Sequence, residues 1–102
     1  MTEKPAVRIS YEDQGHKGRF AARVDGAEGE GELTISKVSE VLVIADHTFV
    51  PDTMRGTGAA SALVEALIAD ARAKAYRIVP LCPFVRAQSL RRHPEWSDVI
   101  QQ

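Results

Sequence analysis

Residues 55–60 read R-G-T-G-A-A and form the pattern in this sequence best suited to binding an anion; we call them the glycine turn. Gly56 and Gly58 allow the backbone to turn tightly and to approach a ligand without a Cβ atom in between. Because a helix is predicted to begin here, unpaired amides and the positive end of the helix dipole converge on one point. A pyrophosphate would fit such a site. The competing interpretation is a tight loop whose small residues only let the helix pack close to a sheet.

The residues around the two glycines exclude two other phosphate-binding loops. A P-loop needs Lys followed by Ser or Thr after its second glycine, whereas Ala59 and Ala60 stand there. The dinucleotide fingerprint would need a third glycine. We also predict no metal site.

The segments on both sides of the glycine turn must supply the elements that hold it in place. Before the turn, four strand-like runs separated by glycine-containing segments predict an antiparallel meander, at residues 7–11, 19–24, 31–36 and 41–50. After it, residues 57–75 have the apolar period of one amphipathic helix. The apolar run 78–81 predicts a strand covered on both faces, which a right-handed crossover would place parallel to the strand before the turn. A last helix is predicted over residues 85–92, ended by Pro94.

Several motifs make the sequence resemble the GNAT superfamily. The pyrophosphate motif of that superfamily is Arg or Gln, two residues, Gly, one residue, then Gly or Ala, and Arg55, Gly58 and Ala60 fill these places. The other matching motifs are H-T, V-P-L-C-P-F-V and R-H-P-E-W, at residues 47–48, 79–85 and 92–96. Together they resemble a small, roughly hundred-residue GNAT-like family of acetyltransferase-domain proteins, over about residues 20–99.

The resemblance implies a mixed α/β (α+β) fold with a mainly antiparallel sheet, a central long helix and a shorter C-terminal helix. It implies acetyl-CoA as the cofactor, with the CoA pyrophosphate cradled by the backbone amides of Arg55, Gly56, Thr57, Gly58, Ala59 and Ala60. The strand end at Phe49 and Val50 would pair with the pantetheine arm, between two parallel strands that splay apart. The acyl thioester would then lie near Cys82.

Acyl transfer from a thioester to an amine needs a base, donors for the oxyanion and an acid for the leaving thiolate. His47 lies in the strand that would flank the cofactor, and an unperturbed histidine pKa of about 6.5 suits a base at neutral pH. The competing interpretation is a structural histidine in or beside the sheet. Phe49 stands about where many relatives carry a carboxylate, so a carboxylate base is not supported.

Cys82 stands at the position where the family has its cysteine. A thiolate there would take the acetyl group and pass it on, which divides one difficult step into two. The competing interpretation is a buried cysteine that behaves as a small apolar residue, because reactivity requires a lowered pKa.

Arg91, Arg92 and His93 form a basic cluster at the end of the last predicted helix. One interpretation is a phosphate contact for the adenosine end of the cofactor. The other is a basic helix end that complements the helix dipole.

The composition limits the number of domains and the kinds of partner. A length of 102 residues predicts one domain over residues 1–102. A net charge of -1 gives no general attraction for nucleic acid or anionic membranes, and we expect neither as a partner. There is no pattern of a signal peptide or membrane span, and the lone Cys82 cannot form an internal disulfide, so a cytoplasmic protein is the simplest expectation. Monomer and homodimer both remain open.

Two functions follow as hypotheses. The first is an acetyl-CoA-dependent N-acetyltransferase that moves an acetyl group to an amine of a small molecule or a protein. The second is a non-catalytic module that binds acyl-CoA or mediates protein association on the same scaffold. The glycine turn favours binding in either case, whereas Phe49 argues against efficient turnover.

Overall fold

A computed structural model of the chain describes residues 6–101, and its centre is a five-stranded sheet whose strands follow one another in chain order. The strands are β1 (Val7–Gln14), β2 (Lys17–Val24), β3 (Gly31–Ser39), β4 (Leu42–Phe49) and β5 (Arg77–Pro80). Neighbours among β1 to β4 are antiparallel, and β4 pairs with β5 in parallel. The predicted mixed, mainly antiparallel sheet with one parallel pair is confirmed.

The first two strands are longer than predicted, and the turn that connects them is correspondingly shorter. Gln14 of β1 pairs with Lys17 of β2, so only two residues form the connection. Gly15 has φ 77°, and a left-handed residue of this kind is what a two-residue hairpin requires.

Alternation of apolar and polar residues gives the sheet one face for the core. Phe20, Ala22 and Val24 of β2 are buried together with Leu33 and Ile35 of β3. Phe20 pairs directly with Leu33. A shift of one residue would turn these side chains to the solvent, so their burial fixes the register of the two strands.

The long helix α1 (Ala59–Lys74) packs against β1, β2 and β3. Its buried residues recur at helical spacing, as predicted, at Ala59, Leu63, Val64, Leu67, Ile68 and Ala71. The helix begins two residues later than predicted because Thr57 and Gly58 belong to the glycine turn. At its other end Ala75 is left-handed, with φ 59°, in a position that glycine usually occupies.

Strand β5 has a neighbour on each side. Ile78 forms a parallel bridge to Ile100, and its amide donates to the carbonyl of Val99 at 2.7 Å. The amide of Gln101 donates back to the carbonyl of Ile78 at 2.7 Å. Ile78 is fully buried as expected, but Leu81 lies beyond the strand and is exposed. The prediction of a strand covered on both faces up to Leu81 is therefore wrong at its last residue.

The last predicted helix, over residues 85–92, divides into two parts. Helix α2 (Pro83–Ala87) starts two residues earlier, because proline suits the first position of a helix. It continues into a wider π-helical segment, Gln88–Arg92, which we call the π turn; here the amide of His93 donates to the carbonyl of Gln88 at 3.1 Å. A 3-10 segment, Pro94–Asp98, follows. Within residues 6–101, no helix combines the length and the apolar character needed to cross a membrane.

Candidate functional site

A cleft of about 570 Å³ lies between the glycine turn and the segment formed by α2 and the π turn. One wall comes from the glycine turn and the start of α1, with Arg55, Gly56, Gly58, Ala59, Ala60 and Ser61. The opposite wall consists of Phe84, Ala87, Gln88, Arg91 and Arg92. Val50, the residue immediately after β4, also lines the cleft. The structure thus brings most of the predicted cofactor-binding residues to one place.

The two glycines of the turn adopt backbone angles that favour glycine. Gly56 has φ 80° and Gly58 has φ 84°, both in the left-handed region. A Cβ atom placed on either residue meets no other atom of the described chain within 4 Å. The backbone angle, rather than crowding by the protein, therefore requires glycine here, and the space in front of both residues is open to a ligand.

The amides of this region fall into two groups. Those of Arg55, Thr57 and Ala59 already donate inside the protein, to the carbonyls of Asp52 and Met54 and to the hydroxyl of Thr57. In the described part of the chain, four other amides have no acceptor in hydrogen-bonding geometry, those of Gly56, Gly58, Ala60 and Ser61. Free amides at a helix N-terminus, together with the helix dipole, bind anions. All four residues line the cleft, so this wall is suited to a phosphate group.

The side chain of Arg55 is held less firmly than the backbone of the glycine turn. Its guanidinium donates to Asp52 at 2.8 Å, and both side chains are largely exposed. Exposed ion pairs of this kind contribute little to stability. The arrangement of the amides is therefore the well-defined part of the site.

Strand β4 contains a bulge next to the parallel pair. His47 pairs with Thr34, whereas Ala45 pairs with the next residue of β3, which leaves Asp46 as the additional residue. On the other side, β5 pairs with β4 only as far as Ala45, whose carbonyl also accepts the amide of Cys82 at 2.8 Å. Beyond this point β4 has no strand partner on the β5 side among residues 6–101. An extended ligand would find free backbone groups there.

His47 and Phe49 lie on this part of β4 but do not line the cleft. His47 is exposed, and its carbonyl accepts a hydrogen bond from the Thr34 hydroxyl at 3.5 Å. Phe49 is 52% exposed. Of the two predicted pantetheine contacts, only Val50 lies in the cleft wall.

Cys82 is 3% exposed, and its Sγ atom lies 3.3 Å from the hydroxyl of Thr48. It is the residue immediately before α2 and does not line the cleft. Successive side chains of a strand point to opposite faces, so Thr48 faces Cys82 while His47 faces away. The structure therefore does not bring the two predicted catalytic side chains into direct contact.

The predicted basic cluster is also divided. Arg91 and Arg92 line the cleft, whereas the ring of His93 stacks on Trp96 with 3.9 Å between centroids. A hydrogen bond from His93 lowers the pKa of the Glu95 carboxyl below its usual value. His93 thus anchors the end of the π turn. Over the described residues there is no group of three or more potential metal ligands.

Several residues of the site were not predicted from the sequence. Ser61, Phe84, Ala87 and Gln88 line the cleft, and Thr48 contacts Cys82. Thr48 stands next to His47 in the H-T motif, and this motif could have indicated that Thr48 belongs to the site. The wall residues of α2 carried no such signal, because their role depends on where this short helix packs.

A comparison with known protein families matches most of the chain, and the matched range includes this site. A family model described as GCN5-related N-acetyl-transferase matches residues 19–99. The match begins in β2 and includes the glycine turn, the H-T motif, Cys82 and both arginines of the π turn.

Proposed function

The chain belongs to the GCN5-related N-acetyltransferase family, and from this premise we propose that it binds acetyl-CoA in the cleft and moves the acetyl group to an amine. The observation that carries the proposal is the group of four free amides on the glycine turn and the first turn of α1. A pyrophosphate offers anionic oxygens that such amides can hold. The residues present therefore fit the group that the family uses.

The amides of the turn have different tasks in this proposal. Gly56, Gly58, Ala60 and Ser61 would donate to the pyrophosphate. Arg55, Thr57 and Ala59 would keep the turn in shape, since their amides are bonded inside the protein. This assignment refines the predicted cradle of residues 55–60, because it adds Ser61 and separates binding amides from structural ones. The free backbone of β4 near Phe49 and Val50 would hold the pantetheine arm.

Acetyl-CoA, when bound, would supply an acetyl group activated as a thioester. His47 is our candidate for the base that accepts a proton from the acceptor ammonium, on the exposed face of β4. Cys82 is the candidate nucleophile: its Sγ would bond to the acyl carbon while the bond to the coenzyme sulphur breaks and that sulphur takes up the thiol proton. For this route Sγ has to leave its contact with Thr48 and become accessible from the cleft.

A second function is favoured by the position of these same two residues. Cys82 is buried away from the cleft wall, and His47 lies on the opposite face of β4. A chain with a formed phosphate site and separate reactive side chains is also suited to binding acyl-CoA without turnover. Three further points stay predictions from the sequence. They are an amine of a small molecule or a protein as the acceptor, a single domain over residues 1–102, and a cytoplasmic location.

Thermal unfolding with and without acetyl-CoA and CoA tests the binding step. A ligand that binds only the folded state stabilises it by RT ln(1 + [L]/Kd), about 2.7 kcal/mol when the free ligand is about 100 times Kd. For a domain of this size, such a gain raises Tm by on the order of 10 °C. An unchanged Tm at millimolar ligand would refute the proposal, and an association module on this fold would then be the better interpretation. If a shift occurs, release of CoA with an amine present separates transfer from binding.

A further inference from the structure

We propose that Arg91 and Arg92 bind the 3′-phosphate of the coenzyme and make this chain prefer CoA to dephospho-CoA. The inference rests on the proposed function, because it places a second phosphate of the same ligand in the same cleft. It assigns a specificity role to two residues that lie outside the glycine turn.

Arg91 and Arg92 line the wall of the cleft that faces the free amides of the glycine turn, and both are exposed to solvent. CoA carries a pyrophosphate and, on the ribose of the adenosine, a separate phosphate monoester. A ligand whose pyrophosphate is held at one wall can thus present its second phosphate to the other wall.

The charges of Arg91 and Arg92 differ from those of several other arginines in having no partner among residues 6–101. Arg19 and Arg72, by contrast, pair with carboxylates, Arg19 with Glu30 and Glu32 and Arg72 with Asp98.

Within residues 6–101, the cleft offers these two side chains no compensating carboxylate. Asp52 is the single acidic residue of that range that lines the cleft, and it pairs with Arg55. Two neighbouring guanidiniums repel each other unless an anion lies between them. The wall therefore presents uncompensated positive charge to whatever occupies the cleft.

The π turn has a shape that suits two neighbouring arginines. A hydrogen bond from the amide of His93 to the carbonyl of Gln88 closes a wider turn than that of an α-helix. The rotation from one residue to the next is smaller in such a turn than in an α-helix, and both Arg91 and Arg92 line the cleft. The turn is held at one end by Ser89, which donates to the Val85 carbonyl at 2.8 Å, and at the other by His93 against Trp96.

The ligand chemistry matches two adjacent guanidiniums. A phosphate monoester carries close to two negative charges at neutral pH and three acceptor oxygens. Arginine binds such groups through two parallel hydrogen bonds, and hydrogen bonds between charged groups are the strong ones. Each pyrophosphate phosphorus lacks this second ionisable oxygen. The monoester is therefore the part of CoA that these side chains recognise best.

The test measures Kd for CoA and for dephospho-CoA by titration calorimetry at low salt. The variants are the intact protein, the double variant Arg91→Gln/Arg92→Gln, and the control Arg86→Gln. Arg86 is an exposed arginine of the same segment that does not line the cleft. We expect the intact protein and the control to bind CoA about tenfold or more tightly than dephospho-CoA. The double variant should bind both ligands equally, with the affinity that the intact protein has for dephospho-CoA.

The outcomes separate this inference from the proposed function. If the intact protein binds both ligands equally, or if the double variant keeps the preference, the inference is wrong while CoA binding stands. If the intact protein binds neither, the proposed function is wrong and the inference falls with it. Should the double variant fold poorly by circular dichroism, competition on the intact protein decides. Adenosine 3′,5′-bisphosphate must then displace CoA at lower concentration than adenosine 5′-phosphate, and equal displacement would refute the inference.

Discussion

At the glycine turn, four amides without an acceptor belong to residues that line the cleft, whereas Cys82 lies buried against Thr48. Both regions come from motifs that resemble the same family, yet only the first has its candidate groups on the cleft wall. The difference reflects what each chemistry needs. Anion binding uses the backbone, whose shape is set by a few neighbouring residues. Nucleophilic chemistry uses a side chain that several packed elements must leave accessible.

The largest effect is expected from changing the shape of the glycine turn. Gly58→Val should abolish the expected increase in Tm with CoA, because valine disfavours a φ of 84° and its side chain would enter the open space proposed for the ligand. Gly15→Val is the matched control, since Gly15 has φ 77°, equally open space and a place in the β1–β2 hairpin. Both variants should lose stability in the absence of ligand.

The measurement is thermal unfolding of both variants with and without excess CoA. Only Gly15→Val should keep the full ligand-induced shift. Equal shifts in the two variants would mean that the glycine turn is not the binding site. Loss of the shift in both would show that backbone strain alone, wherever it lies, prevents binding.

The second prediction tests whether binding and chemistry are separate. Cys82→Ala should keep the CoA-induced shift in Tm, because Cys82 does not line the cleft. Its cost in stability should be about 1 kcal/mol, as for the loss of a small buried group. If Cys82 is the nucleophile, intact-mass spectrometry after incubation with acetyl-CoA should show an acetyl adduct on the original protein and none on Cys82→Ala.

Two results would change this interpretation. An adduct that persists in Cys82→Ala would move the covalent chemistry to another residue. A CoA-induced shift lost in Cys82→Ala would show that the two regions are coupled. In that case the contrast between an exposed binding wall and a buried thiol would not describe the working protein.

The smallest effect is expected at the other end of α1. Ala75 has a left-handed backbone like the two glycines but does not line the cleft. Ala75→Gly should therefore raise stability by on the order of 1 kcal/mol, with no change in CoA affinity. Ala73→Gly is the control: it is exposed within α1, where glycine costs about 1 kcal/mol. Denaturant unfolding of both variants checks the opposite signs, and a destabilised Ala75→Gly would contradict the explanation.

Features determined by neighbouring residues could be predicted from the sequence. The alternation in β2 and β3, the helical period of α1 and the parallel β4–β5 pair all follow from local pattern and chain connectivity. The glycine turn belongs to the same class, because its angles depend on Gly56 and Gly58 themselves. Its division into free and bonded amides needed the structure, since the acceptors on Asp52, Met54 and Thr57 depend on how the turn closes.

Features that depend on packing between distant segments could not be predicted. The burial of Cys82 results from the contact with Thr48, thirty-four positions earlier in the chain. The second wall of the cleft depends on where α2 packs. The prediction of a single helix over residues 85–92 was wrong, because the sequence pattern does not indicate the π-helical turn at Gln88–Arg92.

The pairing of Ile78 with Ile100 has a consequence for shortened forms of the chain. Residues 99–101 provide the neighbour on the outer side of β5, and Val99 lies nineteen residues after Pro80, where that strand ends. A chain cut before residue 99 would show an open edge on β5, the kind of surface that recruits other chains. These few residues therefore protect the sheet as well as extending it. A chain truncated after Asp98 should aggregate more readily than the chain of 102 residues.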